Sequence, residues 1–303
     1  MTFSIRCSLL SLFIVTSIHA ETVRVGSWNL HWLGRKDRRG GVAQKPEDIA
    51  KNLLASKCSI LGLNEVSAND GDNANPKNKS LGEAFKLIKN QTGDEWKYVI
   101  FLRDDPNDKD LLTGVAWNAS KVKLVGQPLR LSIRRNKTWK DIWNRPPVAI
   151  KFSTGEGKTD LVVIPVHMKS NFGGAFKTGK QRAQEARTLI RALGQVQNKF
   201  SDDDVIILGD FNTRYGSEES QFRFAVAGFK DLNAADAKTW IKSSRYSAAP
   251  FDRILVPDSE PEMKSSTMTV FKGHHLGSEE NYRKLLSDHY LVYTEILIQD
   301  DDD

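Results

Sequence analysis

Polar residues with chemical capability stand where apolar runs of the sequence give out. Asn29 follows Trp28, Glu65 follows Leu63 and Asn64, and His167 follows Val166. Asp210 and Asn212 follow the apolar run 206–209, Asp252 precedes the run 254–256, and Asp288 with His289 opens the last one. Strand ends are suitable anchors, because a rigid sheet can hold groups that are distant in sequence at one place. The carboxylates of Glu65, Asp210, Asp252 and Asp288, with amide oxygens of Asn29 or Asn212, suit a hard divalent ion. Mg²⁺ leads, with Mn²⁺ as an alternative and Ca²⁺ as a structural or supporting ion. Such a centre can bind a phosphate ester and activate water, while an imidazole is oriented by a second carboxylate. Singly, the same residues admit plainer roles: turns for Asn29, Asp210 and Asn212, structural hydrogen bonds for His167 and His289.

The elements that must position these groups alternate between short strands and helices. Strands are expected over residues 23–28, 59–63, 97–101, 114–117, 122–131, 148–152, 161–167, 204–209, 253–256, 267–270 and 290–297. Helices are expected over 46–56, 81–90, 181–199 and 217–227, the first opening on Pro46 and the third carrying an apolar side of Ala183, Ala186, Leu189, Ile190 and Leu193. The stretch 67–80, rich in Asn, Asp and Gly, reads as a loop. Without a repeat, a coiled coil or a proline-rich linker, one two-layered or sandwich-like α/β domain over 21–299 is the economical reading, followed by an acidic tail over 300–303.

With 303 residues, 39% hydrophobic and 27% charged, the chain has the apolar material for one sizeable core or two modest ones. Disordered and disulfide-stapled classes are excluded. Lysine and arginine outnumber acidic residues 44 to 38, a net charge of +6 that favours anionic partners. Residues 1–20 read as a secretory signal, with Arg6 in a short n-region, a broken apolar run, and cleavage after Ala20. A secreted or periplasmic protein is expected. No later run approaches the roughly 20 apolar residues of a membrane span, so stable membrane insertion is not. Cys7 leaves with the signal, and Cys58, in an apolar stretch, reads as a small buried hydrophobe.

The blocks Ser27-Trp28-Asn29, Leu63-Asn64-Glu65-Val66, His167-Met168-Lys169-Ser170, Leu208-Gly209-Asp210-Phe211-Asn212 and Ser287-Asp288-His289 occur in one order, with Phe251-Asp252-Arg253-Ile254 between the last two. Together they resemble the endonuclease/exonuclease/phosphatase superfamily, and the likeness runs from about residue 23 to residue 296. The resemblance implies a four-layered α/β sandwich: two packed mixed sheets, outer helices, and an active centre at one sheet edge. It implies Glu65 as the strongest metal ligand with Asn29 and Asp288 near it, and Asp210 and Asn212 positioning metal, water or phosphate. It further implies that Asp252 orients His289 as the base toward water, while His167 faces the phosphate from the other side. Asn64 departs from the glutamine often found before the metal-binding glutamate, which shortens the amide's reach. His31 reads as an exposed loop histidine.

Nucleic acid heads the expected partners, DNA first and RNA second. Residues 130–147 interleave Arg130, Arg134, Arg135, Lys137, Lys140 and Arg145 with Trp139 and Trp143, a pattern able to neutralise phosphates and stack on bases. Arg145 begins a block similar to secreted nucleases, in which the arginine reaches the phosphate backbone. A second basic loop over 169–182 carries Lys169, Lys177, Lys180 and Arg182 with Gly173, Gly174 and Gly179, and its His-Met-Lys-Ser start is similar to bacterial extracellular nucleases. Lys272, His274 and His275 offer a third rim or a surface excursion. Little sequence specificity is expected, since no base-reading module is visible. The alternatives are a secreted phospholipid phosphodiesterase of sphingomyelinase type, and a non-catalytic nucleic-acid-binding or toxin-associated module. A monomer is expected, because the implied site is complete within one chain.

Overall fold

The structure, a computed structural model, describes residues 20–133 and 142–301. Strand β1 (Thr22–Leu33) is followed by α1 (Pro46–Ser56), β2 (Ile60–Val66), a small hairpin of β3 (Asp70–Gly71) and β4 (Pro76–Lys77), and α2 (Lys79–Thr92). Then come β5 (Trp96–Phe101), β6 (Leu112–Asn118), β7 (Lys123–Arg130), β8 (Val148–Ser153), β9 (Asp160–His167) and the long α3 (Ala175–Phe200). The remainder comprises β10 (Val205–Asp210), α4 (Glu219–Val226), β11 (Phe229–Asp231), β12 (Asp252–Pro257), β13 (Thr269–Phe271), α5 (Glu279–Leu285) and β14 (Leu291–Leu297).

Two six-stranded sheets result, ordered β13-β14-β1-β2-β6-β5 and β11-β12-β10-β9-β8-β7. Each contains one parallel pair, β1 with β2 and β9 with β10, among antiparallel neighbours. Side-chain alternation explains why the sheets stack. Along β9 and β10, Leu161, Val163, Ile206 and Leu208 face the core between the sheets, while Val162, Ile164, Val205 and Ile207 face α3. On the far side of the first sheet, Trp28, Leu61 and Leu63 pack with Ile49 and Leu53 of α1 and Leu81, Phe85 and Ile88 of α2. The order helix, sheet, sheet, helix is the expected four-layered α/β sandwich. It supersedes the two-layered option, and strands apolar on both faces are its signature.

The sheets approach closely beneath the functional strand ends. A Cβ at Gly62 of the first sheet would come within 2.1 Å of Leu208 Cδ1 of the second; within the second sheet, one at Gly209, whose φ is 145°, would come within 1.9 Å of the carbonyl oxygen of its strand neighbour Val166.

Several expectations shift. Helix α3 begins at Ala175, so Gly179 lies inside it, and only Gly173 and Gly174, both at positive φ, belong to the preceding loop. The stretch expected as a loop contains the β3–β4 hairpin. Strand β11 and helix α5 were not expected, since three and seven residues are too few to display a period. Residues His274–Leu276 form an ordered 3-10 turn, with His275 stacked on Phe271. Cys58 is buried, and burial pushes its thiol up to about 12, as suits a small hydrophobe. No helix among the described residues is long and apolar enough to cross a membrane.

Candidate active site

One end of the sandwich gathers the polar residues, and pairing explains how. In the first sheet the parallel strands β1 and β2 put Asn29 beside Asn64, the residue before Glu65. In the second, parallel β9 and β10 put His167 beside Asp210, and antiparallel β12 puts Asp252 on the other side of Asp210. Asp288 and His289 lead into β14, which pairs with β1. Asn64 joins the two sheets: its Nδ2 donates to the Val166 carbonyl at 2.9 Å, and its Oδ1 accepts from the Asp210 amide at 3.0 Å. The shortened amide thus spans the gap that Gly62 keeps narrow.

Glu65 Oε1 and Asp210 Oδ2 both accept from Asn29 Nδ2, at 3.2 and 3.0 Å, and Trp32 N–H donates to Glu65 Oε2 at 3.2 Å. The Asn29 side-chain oxygen Oδ1, expected toward an ion, instead accepts the His31 amide at 3.0 Å. Asn29 therefore pins the carboxylates with its nitrogen. Asn212 donates its amide N–H to Asp210 Oδ1 at 2.9 Å and its Nδ2 to the Met168 carbonyl at 3.2 Å. Glu65, Asn212, His31 and Trp32 all take left-handed backbone angles, with φ of 57°, 53°, 45° and 59°. Strain of this kind persists where surrounding contacts over-determine it.

His289 and Asp252 form a dyad. His289 Nδ1 lies 2.8 Å from Asp252 Oδ2, which leaves Nε2 toward the open side, 3.9 Å from Asp210 Oδ2. Ser287 Oγ fixes the turn by donating to the Asn29 carbonyl at 2.6 Å and accepting from the His289 amide at 3.0 Å. Burial works against a charged imidazole, but Asp252, Asp210 and Asp288 outweigh it and bring His289 up to about 10. His167 goes the other way: burial, with Arg145 and His289 beside it, holds it well below the ordinary range and therefore neutral. Its Nε2 stands 3.6 Å from Asp210 Oδ2 and 3.9 Å from Glu65 Oε1.

The donor set fits a divalent cation. Ligand atoms of Glu65, His167 and Asp210 all lie within 4.8 Å of one another. Burial, reinforced by neighbouring acids, raises Glu65 and brings Asp210 up to about 7. Among the described residues no lysine or arginine forms an ion pair with either carboxylate. Buried Asp210 and half-buried Glu65, with an imidazole and without a basic partner, match the chemistry of a hard or borderline 2+ ion. Asp288 stands outside this tight group. Its Oδ2 accepts from Trp240 Nε1 at 3.1 Å, and its Oδ1 lies 3.5 Å from His31 Nδ1.

Other expected residues divide. Arg145 is buried near the site, its Nε donating to the Leu111 carbonyl; burial and the neighbouring Arg103 lower it to about 10, while Glu65 and Asp210 act in the opposite sense. Lys169 turns its Nζ onto the carbonyls of Ser170 and Phe172, at 3.3 and 3.0 Å. Arg182 and Trp143 differ from the expectation of substrate contact. Arg182 is 2% exposed and bound to Glu218 at 2.7 Å, and Trp143 is 5% exposed with its Nε1 on Thr188 Oγ1 at 2.9 Å. Each secures α3, because a buried guanidinium with a carboxylate, or an indole with a hydroxyl partner, is satisfied by the protein itself. Arg134, Arg135 and Trp139 lie outside the described residues.

Two neighbours were not anticipated. His31 is three-quarters buried beside Asp288, where burial, opposed by Asp288, lowers it to about 4. Trp240 comes from the connection before β12, and nothing in its local sequence marks it.

Solved structures with this fold include an endonuclease/exonuclease/phosphatase family protein from Bacteroides thetaiotaomicron, 20% identical with a TM-score of 0.62, covering 93% of this chain and 100% of that one. The mannosyl-6-phosphatase of Bacteroides thetaiotaomicron VPI-5482 is 19% identical with a TM-score of 0.60, covering 91% and 99%. D. rerio TDP2 complexed with a single-strand DNA product is 16% identical with a TM-score of 0.55, covering 92% and 99%. An uncharacterized protein of Mycoplasma pneumoniae (strain ATCC 29342 / M129 / Subtype 1) is 28% identical over 134 residues, 39% of this chain and 27% of that protein. The match thus spans about a quarter of that curated relative's length. Residues 26–289 match the Endonuclease/Exonuclease/phosphatase family, whose members hydrolyse phosphoesters and typically use divalent metals, and the chain belongs to that family.

Proposed function

We propose that this protein is a secreted or periplasmic, divalent-metal-dependent nuclease that hydrolyses phosphodiester bonds of DNA, and of RNA as a second substrate, endonucleolytically and with little sequence preference. The observation that carries the reading is the convergence of the Asp252–His289 dyad with Glu65 and the buried Asp210 and His167 at one sheet edge. Residues 21–299 act as one catalytic domain and work as a monomer, because one chain supplies every group of the site.

In this mechanism Asp252 holds His289 Nδ1–H, so that Nε2 takes a proton from water as its oxygen attacks phosphorus and the bond to the leaving oxygen breaks. Neutral His167 donates an N–H to a phosphoryl oxygen or to the departing oxygen. Glu65 and Asp210 would hold the ion with Asp288 near it, while Asn29 and Asn212 fix the Glu65 and Asp210 carboxylates and orient the phosphate. A Mg²⁺ or Mn²⁺ ion, when bound, supplies charge to stabilise the developing oxyanion and lowers the pKa of the attacking water. The carboxylates that raise His289 would be offset by the bound cation's charge, leaving its imidazole free to act as base. Arg145 adds positive charge from below, and Lys169 meets the backbone phosphates.

Exposed Phe172 and Phe176, at 90% and 77%, favour a second reading, in which the same centre cleaves a phospholipid headgroup at a membrane surface. Incubating the protein with plasmid DNA, RNA, sphingomyelin and phosphoinositides, each with Mg²⁺, Mn²⁺ or Ca²⁺, separates the two. Metal-dependent nicking of plasmid is the expected result. Rapid lipid cleavage with both polynucleotides intact would reject the nuclease reading, and inertness toward all four with retained DNA binding would favour a non-catalytic module.

A further inference from the structure

A second acidic cluster lies at the opposite end of β10. Asp204 immediately precedes that strand, and Glu260 and Glu262 flank Pro261 at the 3-10 turn Pro261–Met263 that follows β12. One ligand atom from each of the three lies within 4.8 Å of the others. Asp204 is 3% exposed and Glu262 0%; the two carboxyl groups lie within hydrogen-bond reach of each other, and Asp204 Oδ1 and Glu262 Oε1 find no donor outside this pair. The polar contacts nearby are weak or local: Gln299 Nε2 to Glu262 Oε2 at 3.4 Å, and Ser259 Oγ to Glu260 Oε1 at 2.5 Å. Among the described residues no lysine or arginine pairs with the three. Lys151, on the adjoining strand β8, is committed to Asp160 and Asp202 at 3.0 and 2.9 Å. Buried carboxylate oxygens without donors or cationic partners are costly, and the reaction has no use for carboxylates at this end of the sheet.

We propose that Asp204, Glu260 and Glu262 form a structural calcium site, separate from the reaction centre. All-oxygen, carboxylate-rich sets select hard cations, and oxygens on opposite sides of a Ca²⁺ bound at about 2.4 Å stand about 4.8 Å apart. Mg²⁺, which demands a tighter octahedron and keeps its waters, fits this set less well. The ion ties β10 of the second sheet to the β12–β13 connection. That connection reaches the first sheet through Met263 in the core between the sheets and Ser266 Oγ, which donates to the Glu295 carbonyl at 3.1 Å. Calcium therefore clasps the sandwich at the end remote from hydrolysis.

Radioactive ⁴⁵Ca²⁺ equilibrium dialysis and thermal melting of the full chain, of Glu65→Gln, and of the double variant Asp204→Asn/Glu262→Gln test this. The unaltered chain and Glu65→Gln should both melt at a higher temperature in Ca²⁺. The double variant should bind one Ca²⁺ fewer per chain than the unaltered protein and lose the rise, while its Mg²⁺-supported turnover stays unchanged. Glu260→Gln, at a partly exposed position that does not disturb the core, should weaken calcium binding about tenfold and keeps the test valid if the double variant misfolds. Equal calcium stoichiometry in the unaltered and altered chains would overturn the proposal. So would a double variant that is simply more stable with or without calcium, the mark of two carboxyl groups sharing a proton.

Discussion

At the residue scale the account turns on side chains whose neighbours fix their charge and direction. Asp252→Asn keeps the shape of the dyad but weakens its hold on the His289 tautomer, and should cut turnover on the order of 10²–10⁴-fold with little change in melting temperature. Steady-state kinetics beside a melting curve checks both parts. Asn64→Leu removes both hydrogen bonds between the sheets and leaves the Val166 carbonyl and Asp210 amide unpaired. A cost of about 1–3 kcal/mol for each stranded group is expected from urea unfolding. Asn64→Gln, which restores the amide at a longer reach, should recover part of it. The types and order of Glu65, His167, Asp210, Asp252 and His289 were legible in the sequence because each terminates or opens an apolar strand. Asn29 was legible as a member of the site but not in its orientation, since which amide atom faces the carboxylates depends on the His31 N–H. Trp240 and His31 were not legible, because their roles arise from Asp288, which is distant in the chain.

At the scale of elements, α3 explains why basic and aromatic residues in a sequence do not by themselves mark a binding surface. Arg182 and Trp143 looked like substrate contacts among neighbouring lysines and arginines, yet Arg182 of α3 meets Glu218 at the start of α4, and Trp143 meets Thr188 of α3. Arg182→Ala should destabilise the fold by about 1–3 kcal/mol, the usual cost of losing hydrogen bonds to a charged partner that stays partly solvated, without raising KM for a polynucleotide. A rise in KM at unchanged stability would return Arg182 to the substrate surface. Glu185, on the same helix, is buried and accepts the Lys169 amide at 2.9 Å; burial brings it up to about 8. Its unfolded pKa lies near 4.5. Between those values the folded chain holds a proton that the unfolded chain has released, so its contribution to stability is full below pH 4.5 and is lost as pH rises toward 8. Glu185→Gln keeps an acceptor for Lys169 and removes the titration, so urea midpoints measured from pH 5 to 9 should fall less steeply than in the unaltered protein. The elements themselves were readable wherever they were long and periodic, as in α1 and β9. The short β11 and α5 depend on strand pairing and docking that no local pattern encodes.

At the scale of the whole molecule, two mixed sheets bring residues from both halves of the chain to one edge. Neither sheet alone carries a complete site: Asn29, Glu65, Asp288 and His289 come from the first, His167, Asp210 and Asp252 from the second. The residue pattern alone suggested a two-layered or sandwich-like domain and only the family resemblance implied four layers, while the parallel pairing that sets Asp210 beside His167 required the fold. Chelation of divalent ions should abolish hydrolysis, and added Mg²⁺ or Mn²⁺ should restore it while the far-ultraviolet circular dichroism remains that of folded protein. The most direct measurement compares plasmid nicking by the unaltered protein, Glu65→Gln and His289→Ala across a Mg²⁺ titration, with DNA binding followed in parallel. The account predicts metal-dependent nicking by the unaltered chain, and a loss of at least about 10²-fold in both variants with binding largely retained. Nicking at the unaltered rate by either variant would contradict it.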